Sequence, residues 1–163
     1  MMANLNAIRT MAAKDVVSAK LAKAYVTIDG NRYLLFQAKK ITANFKKTKQ
    51  EVDILGRTTK GHKSTGGSCS GTLTIYYNTS IFTQLFKKYK DTGEDTYFDL
   101  QLSNIDPTSD AGEHRIILKD CNLDGGQIAA FDAAGDWLEQ ELDFTFEDWE
   151  EPKPFNMLAG MKA

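Results

Sequence analysis

A single segment with helical periodicity, Ser80 to Lys90, interrupts a chain that otherwise reads as strands. Ile81, Phe82, Leu85, Phe86 and Tyr89 fall on one stripe at 3.6-residue spacing. Ser80 is the N-cap candidate, but a full capping box is missing because Thr83 stands where Glu or Gln would close it. Lys87, Lys88 and Lys90 gather where cations suit the helix dipole, and Gly93 beyond them can take a left-handed stop. Gly71 to Tyr77 upstream and Thr96 to Ser103 downstream alternate with the period of half-buried strands. A helix placed so centrally cannot be an appendage. The order predicts a mainly β fold, an antiparallel β-barrel or sandwich with one flanking α-helix.

The 163 residues suit one domain with a core that needs neither disulfides nor metal. A net charge of −2 argues against general nucleic-acid binding. No apolar run approaches the roughly 20 residues of a membrane span. The first residues lack the apolar stretch of a signal peptide, which predicts a chain that stays in the cytoplasm or leaves it by lysis. Cys69 and Cys121 fall in predicted strands without ligand-spaced partners, so two buried free thiols are expected rather than a zinc site.

Residues 1–23 form an N-terminal arm with a loose stripe of Leu5, Ile8, Ala12, Val16 and Ala19. A helix, an arm ordered by a partner and a disordered terminus are all compatible with it. The ordered domain is expected over 24–151. It opens with a hairpin, Tyr25–Ile28 and Arg32–Phe36 around Asp29-Gly30-Asn31. Lys40 to Thr48 then alternates, with Ile41, Ala43 and Phe45 on one face. Between Gly56 and Gly71 lie five of the twelve glycines, and no hydrophobic residue occurs between Leu55 and Cys69. Nothing there can be held by burial, so 56–71 is expected to be a long loop, either functional or disordered. Further strands are predicted at Tyr97–Leu102, Arg115–Leu118, Gln127–Phe131 and Leu138–Trp149, with turns at Asp124–Gly126 and Ala134–Asp136. Pro152 and Pro154 should stop the sheet and start a tail over 152–163.

Little here suggests catalysis. Gly56 to Ser64 imitates a phosphate-binding loop, but His62 intrudes before Lys63 and a strand rather than a helix follows. His62 and His114 have no triad partners readable from sequence. Glu139, Glu141 and Asp143 alternate with Leu138, Gln140 and Leu142, giving an acidic and an apolar face on one strand. Such a row reads as a solvated face; a hydrolase would need a drier pocket to separate the carboxylate pKa values. A monomeric β-barrel binding module is the other alternative, and solution size discriminates it.

Ile54-Leu-Gly-Arg57, Gly61-His-Lys-Ser-Thr-Gly66, Gly71-Thr-Leu-Thr-Ile-Tyr76 before the helix, and Phe144-Thr-Phe-Glu-Asp-Trp149 resemble the tail tube proteins of contractile-tailed bacteriophages. The likeness is strongest to those of PBSX-like defective prophages and phage-tail bacteriocins, and runs from Tyr25 to Pro152. It implies a structural subunit, not an enzyme, with no cofactor and no catalytic or metal residues. Six copies would form a ring, and stacked rings a tube in the virion tail, assembled in the host cytoplasm. Its partners would be further copies, the sheath, the baseplate and the tape-measure protein, with no membrane binding by the subunit and transient passage of DNA in a phage. Arg57, Lys60, His62 and Lys63 are the candidate ring-stacking residues, and Glu139, Glu141 and Asp143 the candidate lumen or interface stripe. A lumen that passes DNA should not be basic, because lysines and arginines would hold phosphate.

Overall fold

The computed structural model describes residues 8–162. Eight antiparallel strands and one helix follow in the order β1 (Ala22–Ile28), β2 (Asn31–Leu34), β3 (Ala38–Val52), β4 (Gly61–Tyr76), α1 (Ile81–Thr92), β5 (Phe98–Ile105), β6 (Glu113–Gly126), β7 (Glu139–Thr145) and β8 (Asp148–Lys153). Neighbouring strands run β2-β1-β5-β6-β7-β4-β3, with β8 on β6. The first part of β6 pairs with β5 and β8, and its last residues pair with β7. The change of partner falls at Asp120, whose φ of 52° marks a sharp bend. Bending one strand between two layers is how a sandwich turns its corner.

Each layer follows its burial pattern. Val26, Leu73, Ile75, Leu100, Leu118, Leu142 and Phe144 fill the core between the layers. Phe82 brings the helix onto it, with its ring centroid 6.2 Å from that of Phe98. Gly93 ends the helix at φ 73° and donates its N–H to the Tyr89 carbonyl at 2.8 Å. Ser80 makes no side-chain cap; Thr79 Oγ1 accepts from the Ile81 N–H instead. Tyr89, at the far end of the expected stripe, is exposed. The β1–β2 turn has positive φ at both Asp29 and Gly30, as a two-residue hairpin turn requires.

Six expectations are corrected. Residues 61–71 are strand rather than loop, because β3 supplies a continuous backbone partner from Val52↔Gly61 to Ala43↔Gly71. Only 53–60 connects the two strands. Residues 127–131 are loop rather than strand, while Asp124–Gly126 belong to β6 rather than to a turn. The segment 138–149 is two strands, not one: Phe146 donates to the Cys69 carbonyl and Glu147 to that of Lys119, so the chain changes layers there. Pro152 lies inside β8 rather than beyond the sheet; a register shift on this edge strand spares the ladder its missing donor. Cys121 is buried as expected, but Cys69 is only partly so.

Of the N-terminal arm, the described residues 8–21 hold a 3-10 turn at Ala13–Asp15 and no α-helix, and Leu5 lies outside the described residues. The arm lies on the 106–112 loop. Asp106 accepts from the Ser18 N–H, and Asp15 from the Asp110 N–H, both at 3.0 Å. Asn156 from the tail donates to the Ala111 carbonyl at 2.7 Å, so both chain ends dock on the same loop.

Candidate assembly interface

The longest hairpin leaves the body. β4 pairs with β7 only over Ser70–Tyr76, so the ladder from Lys46↔Ser68 to Val52↔Gly61 has no third strand. At its root the Phe45 ring meets Trp149 with centroids 5.0 Å apart. Gly67 leaves room for that ring, since a Cβ there would lie 2.5 Å from it. Beyond the root nearly every residue is exposed, and Gly56 makes the tip turn at φ 80°.

Arg57, Lys60, His62 and Lys63 all stand on this arm and are exposed. Lys60 contacts Glu51 at 3.4 Å and Asp53 at 3.8 Å, while His62 lies 4.0 Å from Glu51. Arg57 donates to Thr59 Oγ1 at the tip, and Lys63 lies opposite Gln50. The stacking set read from the sequence did not include Lys46, Lys47 and Lys49, which β3 brings to the same arm. Between 46 and 63 there are six basic and two acidic residues, in a chain of net charge −2. The signal was present as a lysine run, but its pairing with the glycine segment was not.

The acidic counterpart lies on β7 and β8. Residues 139–151 hold seven carboxylates and no lysine or arginine. Glu141 and Asp143 are exposed on the outer face of β7, opposite the buried Leu142 and Phe144. Asp143 accepts from Thr72 Oγ1 at 3.3 Å. Glu139 is bound within the chain by Lys39 and by Trp137 Nε1. These two donors hold the Glu139 carboxyl below the usual carboxylate range, and the same contact raises Lys39. Glu113 is lowered in the same way by Ser103, Arg115 and Lys153, tying β5, β6 and β8. Among the described residues no three His, Cys, Asp or Glu groups converge as metal ligands. No helix in them is long and apolar enough to cross a membrane.

Residues 9–152 match the family described as phage tail tube protein, and the chain belongs to that family. It is 39% identical over 141 residues to the phage-like element PBSX protein XkdM of Bacillus subtilis strain 168, covering 86% of this chain and 93% of that protein. It is 38% identical over the same span to YqbM of that strain. Among solved structures, a chain of the sheath–tube complex of an extracellular contractile injection system superposes with a TM-score of 0.63 at 10% identity, covering 87% of this chain and 98% of that one. The SPP1 tail tube gives 0.60 at 9%, covering 86% and 80%. Those two likenesses show the shared fold. The protein is a phage tail tube structural subunit.

Proposed function

We propose that copies of this subunit close into hexameric rings, and that the rings stack into a hollow tail tube serving as a DNA channel or a puncturing conduit. The projecting basic arm is the observation that carries this reading. A two-stranded ribbon with no buried face gains little from its own subunit, so a second surface must supply the stabilisation. The acidic surface of β7 and β8 has the complementary charge for the arm of a copy in the adjacent ring. Within a ring, β2, β3 and β8 each offer an unpaired edge, and side-by-side pairing removes edges that otherwise invite aggregation.

In this reading the subunit is structural, without catalysis or cofactor. Arg57, Lys60, His62 and Lys63 reach the next ring. Glu141 and Asp143 face either the channel, where carboxylates keep DNA from adhering, or the incoming arm. A sheath, a baseplate and a tape-measure protein complete the tail, assembled in the host cytoplasm.

The test replaces residues 50–63 by an Asn-Gly turn, which keeps the strand register through Lys49↔Ser64. The expected result is a folded subunit that forms rings but no tubes in electron micrographs. Tubes of normal length would contradict the stacking role.

A further inference from the structure

Two exposed apolar surfaces of the subunit carry opposite charge. The first is the loop 127–138 between β6 and β7. Phe131 at its tip is 92% exposed, and Ile128 and Trp137 are exposed beside it. The loop is nevertheless held. Gln140, fully buried, donates Nε2 to the Gln127 carbonyl at 2.6 Å, and Tyr77 donates its N–H to the Leu138 carbonyl at 3.0 Å. Asp132 Oδ1 accepts from the N–H groups of Ala134 and Gly135, bracing the tip. A braced loop that exposes a phenylalanine loses little entropy when that ring is buried by a partner. Its charged residues are Asp132 and Asp136, and among the described residues no cation pairs with either.

The second surface is a groove of about 620 Å³ at the open side of the sandwich, between β1 and the start of β3. Leu34, Leu35, Phe36 and Ile41 line it, and Phe36 is 78% exposed. Lys23 and Lys40 stand on its rim. Lys39 there is bound to Glu139, whereas among the described residues no carboxylate pairs with Lys23 or Lys40. The groove has room for an aromatic ring and a neighbouring aliphatic chain.

We propose that the 127–138 loop of one copy seats Phe131, with Ile128 beside it, in the β1–β3 groove of the next copy around the ring, where Asp132 and Asp136 meet Lys23 and Lys40. The occupant is a second copy because each surface supplies what the other lacks: apolar projection to apolar groove, two carboxylates to two lysines. Two different patches on one chain make a heterologous contact, which yields a ring when the rotation between copies closes and never a two-fold dimer. The inference rests on the tube reading and names the contact that closes the ring.

The test measures the assembled fraction against protein concentration for the full chain, with rings counted in electron micrographs. Phe131 makes no core contact, so Phe131→Ala should keep the wild-type melting temperature while raising the concentration for half assembly roughly ten-fold or more, as loss of a central aromatic anchor does. The charge reversal D136K, which leaves the Asp132 brace in place, should fail to form rings and should regain them with K23E or K40E in the same chain. If the wild-type protein forms rings and both loop variants form them equally well, this contact is wrong and the tube reading stands. If the variants form rings but lose binding to the sheath protein, the loop belongs to the sheath and the proposal is overturned. If the wild-type chain forms no rings under any condition, both fail.

Discussion

Lys39 on β3 reaches across β4 to bind Glu139 on β7, with Nζ 2.5 Å from Oε1. The contact clasps three strands at the end of the layer from which the 127–138 loop departs. It also uses up one member of the acidic row, leaving Glu141 and Asp143 as the exposed members. Because the folded state holds the Glu139 carboxyl below its ordinary range, it binds that proton less readily than the unfolded chain does. The stabilisation is therefore present at neutral pH and lost as pH falls through the depressed value. Glu139→Gln should lower the melting temperature near pH 7, and the difference from wild type should shrink as the pH falls below the ordinary carboxylate range. A difference that grows on acidification would contradict the assignment.

Phe82 is the one helix residue with a fully buried side chain, and it carries the helix onto β5 through Phe98. Phe82→Ala should cost about 3–5 kcal/mol of unfolding free energy, from lost transfer and the cavity left behind. Urea unfolding measures this directly. Tyr89→Ala, on the exposed end of the same helix, should cost far less.

Gly71 sits where β4 passes between two neighbours. A Cβ there would lie 2.5 Å from the Thr42 carbonyl oxygen and 2.4 Å from the Phe144 ring. The backbone oxygen cannot swing aside as a side chain could. Gly71→Ala should destabilise by about 1–3 kcal/mol through overpacking, read as a shift in the urea midpoint at unchanged slope.

Burial pushes the Cys121 thiol up to about 12, and Cys69 is raised more modestly by burial and by Asp148. The thiolate is the reactive form. Near neutral pH a thiol reagent should modify Cys69 slowly and leave Cys121 untouched until the chain is unfolded. Rapid labelling of Cys121 in the native protein would contradict its place in the core.

The helix was legible because a five-residue apolar stripe and Gly93 point to the same element. The first hairpin was legible because Asp29-Gly30 supplies the positive φ values its turn needs. The arm was not, and the reason is physical. Residues 61–69 have no buried face, so no alternation of apolar residues announces a strand; backbone pairing to β3 alone defines it. Gly125 and Gly126 suggested a turn, yet Gly126 lies in β6 where β7 comes too close for a Cβ, 2.8 Å from the Glu141 carbonyl oxygen. Ile128 and Phe131 read as strand residues because composition alone does not distinguish a strand side chain from one exposed on a loop. The four basic candidates at 57–63 did fall on one projecting element, whereas the lysines of β3 that join them there were separated from them by sequence alone.

Electron microscopy of the purified protein at increasing concentration tests whether the isolated subunit assembles. Six-fold rings that lengthen into hollow tubes with concentration and time are expected. A species that stays monomeric at 18.2 kDa at every concentration, with no rings after long incubation, would contradict the tube reading.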